Sequence, residues 1–460
     1  MALVAIAAAY LVYGLLSERL RSTILTGPIV FVALGLLVGP IGMGLVSTAT
    51  DVAFADSIFE LTLILVLFSD AFAIDAPRLV RERTLPLRLL AIGLPLTIGL
   101  GWAIAALMFA GLDIWEAALI GAVLAPTDAS LAQPVIVDRR VPRPVRDGLN
   151  VESGLNDGIA LPFVIIFLGL TREATGVAGA HVLETFLRAL VLSAVLGGVV
   201  GWLGGRSVVA ARRRGWVGEP WRPLVLMAAA LLAYGVAVVV DGSGFIAAWV
   251  AGLAAGMAVR RASAGATSGA ASGPAGATSG EASGTASATS GEEAESAFLD
   301  GLGVLLTTAS YLAFGALLLG PQLATMTLPV IVFAVLALTL VRMVPVAVSL
   351  IGARLGRPTV LFVGWFGPRG LASIVFTVII VDEALPGVPL ITTIVAATVA
   401  LSVVAHGVTS AWGARHYGAW FDAAAQRDPS IPEAAAGTEV GARRRIALAG
   451  GRQAGDTGRP

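Results

Sequence analysis

The sequence predicts an all-α, polytopic membrane protein, and three observations carry that expectation. Hydrophobic residues make up 57% of the 460-residue chain and charged residues 13%, against about 45–50% and about 25% in soluble globular domains. The apolar residues gather into thirteen stretches, at 2–17, 23–42, 56–74, 87–110, 114–136, 148–169, 183–205, 222–240, 243–259, 298–319, 327–352, 359–381 and 388–412. Each approaches the ~20 residues that a helix needs to cross roughly 30 Å of hydrocarbon. Arginines, finally, cluster in alternate connections between the stretches.

The first stretch is followed, not preceded, by its positive charges (Arg19, Arg21), so it reads as a span and not as a cleavable signal peptide. Arg78, Arg81 and Arg83 follow the third; Arg139, Arg140, Arg143 and Arg146 the fifth; Arg206, Arg212, Arg213 and Arg214 the seventh. Arg260 and Arg261, then Arg354 and Arg357, then Arg443–Arg445 continue the series after the ninth, eleventh and thirteenth. Even-numbered stretches are followed by Arg172 and by acids: Asp51, Asp113, Glu116, Asp241, Asp382 and Glu383. The positive-inside rule then predicts a plasma-membrane protein with its N-terminus outside and its C-terminus in the cytoplasm.

The membrane domain is expected over 1–413, interrupted at 262–296 by a Gly/Ala/Ser/Thr repeat that cannot bury a core and reads as a flexible cytoplasmic loop. Residues 414–460 read as a mostly disordered cytoplasmic tail, with HYGAWFD (416–422) lying at the membrane surface. A net charge of zero suggests no nucleic-acid partner, and the absence of cysteine excludes disulfides, thiolate metal sites and cysteine nucleophiles. There is no G-x-x-x-x-G-K-[ST] loop for ATP, so any transport must draw on ion gradients.

Within the sixth stretch stands NVESGLNDG (150–158), which sets Glu152, Asn156 and Asp157 in a helix bound for hydrocarbon. At 1.5 Å per residue, Asp157 lies about 15 Å from the cytoplasmic face and Asp128, on the fifth stretch, about 12 Å. Two carboxylates thus meet near mid-depth. Asp128 sits in LAPTDASLAQP, where Pro126 and Pro134 remove backbone hydrogen bonds. Irregular backbone at that depth requires a cavity or a protein surround, and freed carbonyls beside a carboxylate suit a small cation. Ser153 shares a helix face with Asp157, and Glu152 with Asn156. Arg342 and Arg369 also fall near mid-depth, where an ionised arginine costs at least about 2.5–3.5 kcal/mol, so each is expected to have a carboxylate partner. The acids Asp128, Glu152 and Asp157 against these two arginines leave one negative charge for a cation. Asp70, nearer the cytoplasmic end of the third stretch, is either an interfacial acid or a further ligand. Glu60 reads as structural, and His406 as a packed, hydrogen-bonded histidine.

With the seventh stretch as a connector, the first six and last six form two repeats of inverted topology. Their fifth members, the fifth and twelfth stretches, are the two broken by Gly and Pro (APTD, GWFGPRG), and broken helices crossing at mid-membrane point to a secondary transporter. Two other classes need features that the sequence lacks. A cation channel needs a filter or charge rings, neither of which is visible; an intramembrane aspartyl hydrolase needs a catalytic-water motif, and none is identifiable.

The block APTDASLAQPVIVDRRVPRPVRDGLNVESGLNDGIALPF, with WFGPRGLAS and LVRMVP, resembles the monovalent cation:proton antiporters, and within them the NhaP/NHE-like sodium/proton exchangers. The resemblance implies a thirteen-helix homodimer in which a six-helix core moves against a dimerisation domain. Its motif residues imply that Thr127, Asp128, Ser153 and Asp157 ligate Na⁺ or Li⁺, with Asp70 a possible extra ligand. They further imply that Asn156 stabilises the broken helices and that Glu152 pairs structurally with Arg342. The chain departs from the family in having Ala129, not proline, after Asp128. The Asn156–Asp157 pair implies electroneutral exchange of one cation for one proton, the two competing for Asp128 and Asp157. No enzymatic activity and no cofactor beyond the transported ions are expected; K⁺ is the alternative cargo.

The Gly/Ser-rich repeat generates one prediction. Removing residues 268–288 leaves cation-driven proton flux in everted vesicles unchanged, because a shorter flexible linker still bridges the ends. Loss of the flux or of its pH response, in a variant that still reaches the membrane, would make the segment regulatory.

Overall fold

No water reaches hydrocarbon to satisfy backbone N–H and C=O groups, so apolar stretches must close their hydrogen bonds internally. In the computed structural model they do so as helices. It describes residues 2–20, 25–46, 52–74, 84–176, 181–218, 221–270, 303–381, 385–428 and 431–433, with Thr23, Gly301 and Glu383 between them. The helices are α1 (Ala2–Leu20), α2 (Gly27–Val38), α3 (Val52–Ala73), α4 (Leu85–Met108), α5 (Ile114–Val123), α6 (Ala129–Ile136) and α7 (Arg143–Ala174). They continue as α8 (Val182–Arg213), α9 (Trp221–Val239), α10 (Gly244–Ala270), α11 (Gly303–Thr325) and α12 (Leu328–Ser349). α13 (Arg357–Trp365), α14 (Leu371–Val381) and α15 (Val388–Arg427) complete the order. Among the described residues, eight helices are long and apolar enough to cross a membrane, and α2, α5 and α14 are shorter apolar helices. The protein is all-helical, and each expected apolar stretch lands on one or two of these elements.

Two packed groups flank the site. In the first, α3, α8, α9 and α10 bury an alanine-rich seam that includes Ala230, Ala233, Ala247, Ala251 and Ala255. Gly197, Gly201 and Gly205, four residues apart on α8, let its backbone press on that of α10; a Cβ at Gly205 would stand 2.8 Å from the Ala255 carbonyl oxygen. Such small-residue contacts are how helices associate without a hydrophobic driving force between them. In the second group, α4 to α7, α12, α14 and α15 share a core with residues of α2, α3 and α11 around Leu119, Ile120, Leu161, Phe333, Phe376, Ile391 and Ile394, and α13 packs in a neighbouring cluster through Phe362 and Val363. Asp113 and Glu116 form a capping box at the start of α5, and the buried Glu116 also accepts from the Gly387 N–H at 2.7 Å, tying α5 to the start of α15.

The basic connections share one end of the molecule. Arg88, at the start of α4, donates to the Ser349 and Ile351 carbonyls past the end of α12, and Arg260 of α10 donates to the Phe72 and Ile74 carbonyls at the end of α3. Arg140, in the turn between α6 and α7, packs against Gly418 near the end of α15. Arg21, Arg78, Arg81, Arg83, Arg443–Arg445 and Asp51 lie outside the described residues, as do 271–300 and 434–460.

Two expectations need correction. The tail does not begin at 414: α15 runs unbroken to Arg427, because Ala414 and Tyr417 are buried and carry the helix's packed face past the apolar stretch. Within HYGAWFD, Tyr417 stacks on Phe362 with ring centroids 4.2 Å apart and bonds Thr359 at 3.0 Å. The flexible loop does not start at 262 either, because α10 continues to Ala270 through alanines that favour helix.

Glu152 and Arg342 form the buried pair that joins α7 to α12. Arg342 Nη1 donates to Glu152 Oε1 at 2.5 Å and Nη2 to Oε2 at 2.8 Å, with side-chain exposures of 4% and 3%. Thr339 interrupts α12 one turn before Arg342. Removing one partner should strand a buried charge at a cost of about 3–5 kcal/mol, and removing both should cost much less. Thermal unfolding of Glu152→Gln, Arg342→Gln and the double variant in detergent tests this; a double-variant loss equal to the summed singles would disprove the coupling.

Candidate functional site

Two irregular segments, 124–128 between α5 and α6 and 366–370 between α13 and α14, meet inside the second group. Pro126 and Pro368 lack backbone donors, and neither segment can continue its helix. Each break leaves a helix C-terminus with unpaired carbonyls and a helix N-terminus with unpaired N–H groups. The segments bond each other directly: Asp128 N–H donates to the Pro368 carbonyl at 2.8 Å, and Ser373 Oγ to the Val123 carbonyl at 2.7 Å.

Asp128 serves both N-termini. Its Oδ1 accepts from Ser130 N–H at 2.7 Å, Ser130 Oγ at 2.5 Å and Leu131 N–H at 3.3 Å, capping α6. Its Oδ2 accepts from Leu371 N–H at 2.7 Å, at the first residue of α14, and from the Tyr311 hydroxyl of α11 at 2.5 Å. A carboxylate offers about four lone-pair directions, so its acceptor capacity is fully used. The positive ends of two helix dipoles converge on this one negative charge. Gly370 has no space for a side chain, because a Cβ there would collide with Asp128 and the Tyr311 hydroxyl.

The C-termini are held by cations and N–H donors. Arg369, with 0% exposure, donates from Nη1 to the carbonyls of Ala125 and of Pro126, the latter at 3.0 Å. Its expected carboxylate partner is replaced by these carbonyls, since the negative end of α5 supplies the acceptors. Arg369 N–H donates to Ser402 Oγ at 2.7 Å, and His406 lies between the Ser402 carbonyl, 2.9 Å from its Nδ1, and the Trp365 carbonyl at the end of α13, 2.9 Å from its Nε2. His406 is thus a packed, hydrogen-bonded histidine.

The residues of NVESGLNDG divide by face. Asn156 Nδ2 donates to Thr127 Oγ1 at 2.7 Å, pinning α7 to the first break, and Thr127 Oγ1 lies 3.0 Å from Ser153 Oγ. Asp157 faces a cavity of about 370 Å³ whose lining includes Asp70, Asp128, Ser130, Gln133 and Thr307. Its Oδ1 is buried without a hydrogen-bond partner, as is Asn156 Oδ1. Such an orphan has to be explained by strain, water, an ion or function. Of the four expected ligands, then, Asp128 and Asp157 line the cavity while Thr127 and Ser153 stand behind it. Asp70, on α3, is half-buried. Among the described residues no three acids, cysteines or histidines converge as a metal-holding cluster. Glu60 accepts from the Tyr234 hydroxyl, away from the cavity, as a structural acid.

Sequence reasoning missed Tyr311 and Ser130. A buried tyrosine hydroxyl demands a partner, so a lone tyrosine in TTASYLAFGALLL was a signal for the first. Ser130, two residues after an N-cap aspartate, carried the ordinary signature of a helix start.

The transmembrane sodium/hydrogen exchanger family model matches residues 5–415. The K⁺/H⁺ antiporter NhaP of Alkalimonas amylolytica is 27% identical over 79% of this chain and 57% of its own. The K⁺/H⁺ antiporter NhaP2 of Shewanella oneidensis is 24% identical over 87% of this chain and 63% of its own. The chain thus spans about six tenths of the length of these relatives. The structure of the sodium proton antiporter MjNhaP1 of Methanocaldococcus jannaschii superposes with a TM-score of 0.70 at 20% identity, covering 88% of this chain and 98% of that one, which shows the shared fold. With a family model matched across nearly the whole membrane region and the crossing of broken helices in place, this chain belongs to the transmembrane sodium/hydrogen exchangers.

Proposed function

We propose that the protein exchanges a monovalent cation for a proton across the plasma membrane by alternating access, with Asp157 as the group on which the two compete. The carrying observation is the buried Asp157 carboxylate whose Oδ1 has no hydrogen-bond partner at the wall of the cavity. Arg342 is committed to Glu152 and Arg369 to carbonyls, so the carboxylates of Asp70, Asp128 and Asp157 stand together in excess of positive charge. At low dielectric such an excess is relieved by binding a counter-charge. A dehydrated cation and a proton both supply one, and a single seat holds one or the other. Asp128, its oxygens engaged at the crossing, is the fixed negative neighbour; Asp70, which packs against Gly154 one turn before Asp157, is a further acid at the seat; the Thr127 and Ser153 hydroxyls, behind the cavity, hold the first break against α7.

Na⁺ or Li⁺ is the cargo that the motif resemblance favours, and K⁺ is a second reading favoured by the names of the two NhaP relatives. The protein works as a homodimer with its N-terminus outside, so that the basic end, toward which the cavity runs, faces the cytoplasm. Dequenching of a pH dye in everted vesicles on addition of Na⁺, Li⁺ or K⁺ separates the cargo readings. A response to none of them would overturn the proposal.

Two predictions follow from this division of charge. Asp157→Asn abolishes exchange yet keeps the yield and melting temperature of the parent, since no described hydrogen bond to Oδ1 is lost. Asp128→Asn loses exchange and also about 1.5–3 kcal/mol of stability, the scale of hydrogen bonds to a charged group. Retained flux in purified Asp157→Asn would exclude this seat. Exchange is also electroneutral, because Asn156 in place of a second acid leaves one exchangeable charge on α7. Proteoliposomes clamped with K⁺ and valinomycin should therefore show the same Na⁺-driven proton flux at every potential. A net charge per cycle would bias it by about 2.3 kcal/mol per 100 mV, and a steep voltage dependence would implicate Asp70 as a second proton carrier.

A further inference from the structure

The Asp128–Tyr311 bond joins two different walls. Along one side of the cavity run Leu65 to Phe72 of α3, Leu226 and Met227 of α9, and Gly303, Val304, Leu306 and Thr307 of α11. The other side is made by Asp128, Ser130 and Gln133 at the first break and on α6, by Asp157 of α7 and by Leu371 of α14. Tyr311 stands one helical turn beyond Thr307, has 0% exposure, and reaches across to Asp128 Oδ2. It thus ties the walls together where the cavity ends. Three residues on, Phe314–Leu319 of α11 is π-helical, a local under-winding common at functional positions. Every other donor to Asp128 comes from α6 or the first residue of α14, that is, from the crossing itself.

A path to the opposite face must pass the site on the side that Tyr311 closes. While the hydroxyl holds Asp128, α11 and the crossing cannot separate there. We propose that Tyr311 is a latch: its hydroxyl bond to Asp128 holds the site open toward the basic end and has to break before the site can face the other side. Tyr311 is a positioning residue, acting through Asp128 and through the relative placement of α11. The inference rests on the alternating-access reading above and adds to it the contact that sets which side is open.

The chain has no cysteine, so Gln133→Cys, on the cavity wall, introduces a lone thiol. Its rate of reaction with a membrane-impermeant maleimide, in vesicles whose outer surface carries the basic loops, reports how often the cavity is open to that side. Tyr311→Phe, which removes one oxygen and keeps the ring, should at least halve that rate by letting the population shift away from the latched state. Site-specific 3-fluorotyrosine at 311, a stronger donor of nearly the same size, should hold the rate at or above the parent's and slow turnover. The second replacement also decides the question should Tyr311→Phe fail to fold. Labelling equal to the parent's in Tyr311→Phe, or turnover unslowed in the fluorotyrosine protein, would overturn the latch. Labelling changes in a protein that exchanges no cation would support the latch and instead remove the exchange reading.

Discussion

Four helix ends meet in the middle of this protein, at a depth where each has to find its partners within the chain. An unsatisfied backbone N–H or C=O in hydrocarbon costs several kcal/mol, so two broken helices can cross there only if every end finds a partner. Asp128 takes the N-termini of α6 and α14; Arg369 takes the C-terminus of α5; His406 takes that of α13. The assignment follows the helix dipole, with the acid at the positive ends and the cation at a negative one. Asp128 and Arg369 are therefore placed to let the backbone be irregular, and the other central charges lie outside that role.

What remains is small and specific. Glu152 and Arg342 neutralise each other through two parallel hydrogen bonds and contribute alignment of α7 with α12. Asn156 binds the first break through Thr127. Asp157, one residue along the same helix, is rotated by about 100° from Asn156 at 3.6 residues per turn and so faces the cavity instead. The dipeptide sets a neutral amide on the face toward the first break and a carboxylate on the face toward the cavity. The group that holds the crossing and the acid that lines the cavity thus sit side by side on α7 without competing for the same atoms. Tyr311 occupies the remaining position, the contact between the crossing and the facing wall.

Much of the fold was legible because hydrocarbon imposes length. Each apolar stretch named from composition corresponds to helix, and the Gly/Pro interruptions at APTD and GWFGPRG are the two breaks that cross. Misplacements came where apolarity stopped being the criterion. α15 continues past 413 because Tyr417 and Trp420 find aromatic partners, with Tyr417 against Phe362 and Trp420 against Tyr417. Glu433 then bonds Thr359 at 2.6 Å and the Gly356 N–H at 2.8 Å, over the start of α13. Phe362, Thr359 and Gly356 are more than fifty residues from the groups they meet and leave no trace in local hydropathy.

The sequence by itself determined which charged residues would be placed at depth and that Asp157, Asp128, Glu152, Arg342 and Arg369 would have to answer to one another. It could do so because a charge in an apolar stretch is expensive wherever the helix packs, and that cost depends on composition alone. Only the tertiary structure decided who answers to whom. Arg369 found carbonyls where a carboxylate was expected, because the end of α5 is brought against it by a bond between two segments some 240 residues apart. Asp128 was saturated by donors from α6, α11 and α14, and Asp157, which lines the cavity, was left with a buried oxygen that no donor reaches. Hydrogen bonds are short and directional, and which donor reaches which lone pair is set by the crossing of helices that lie far apart along the chain.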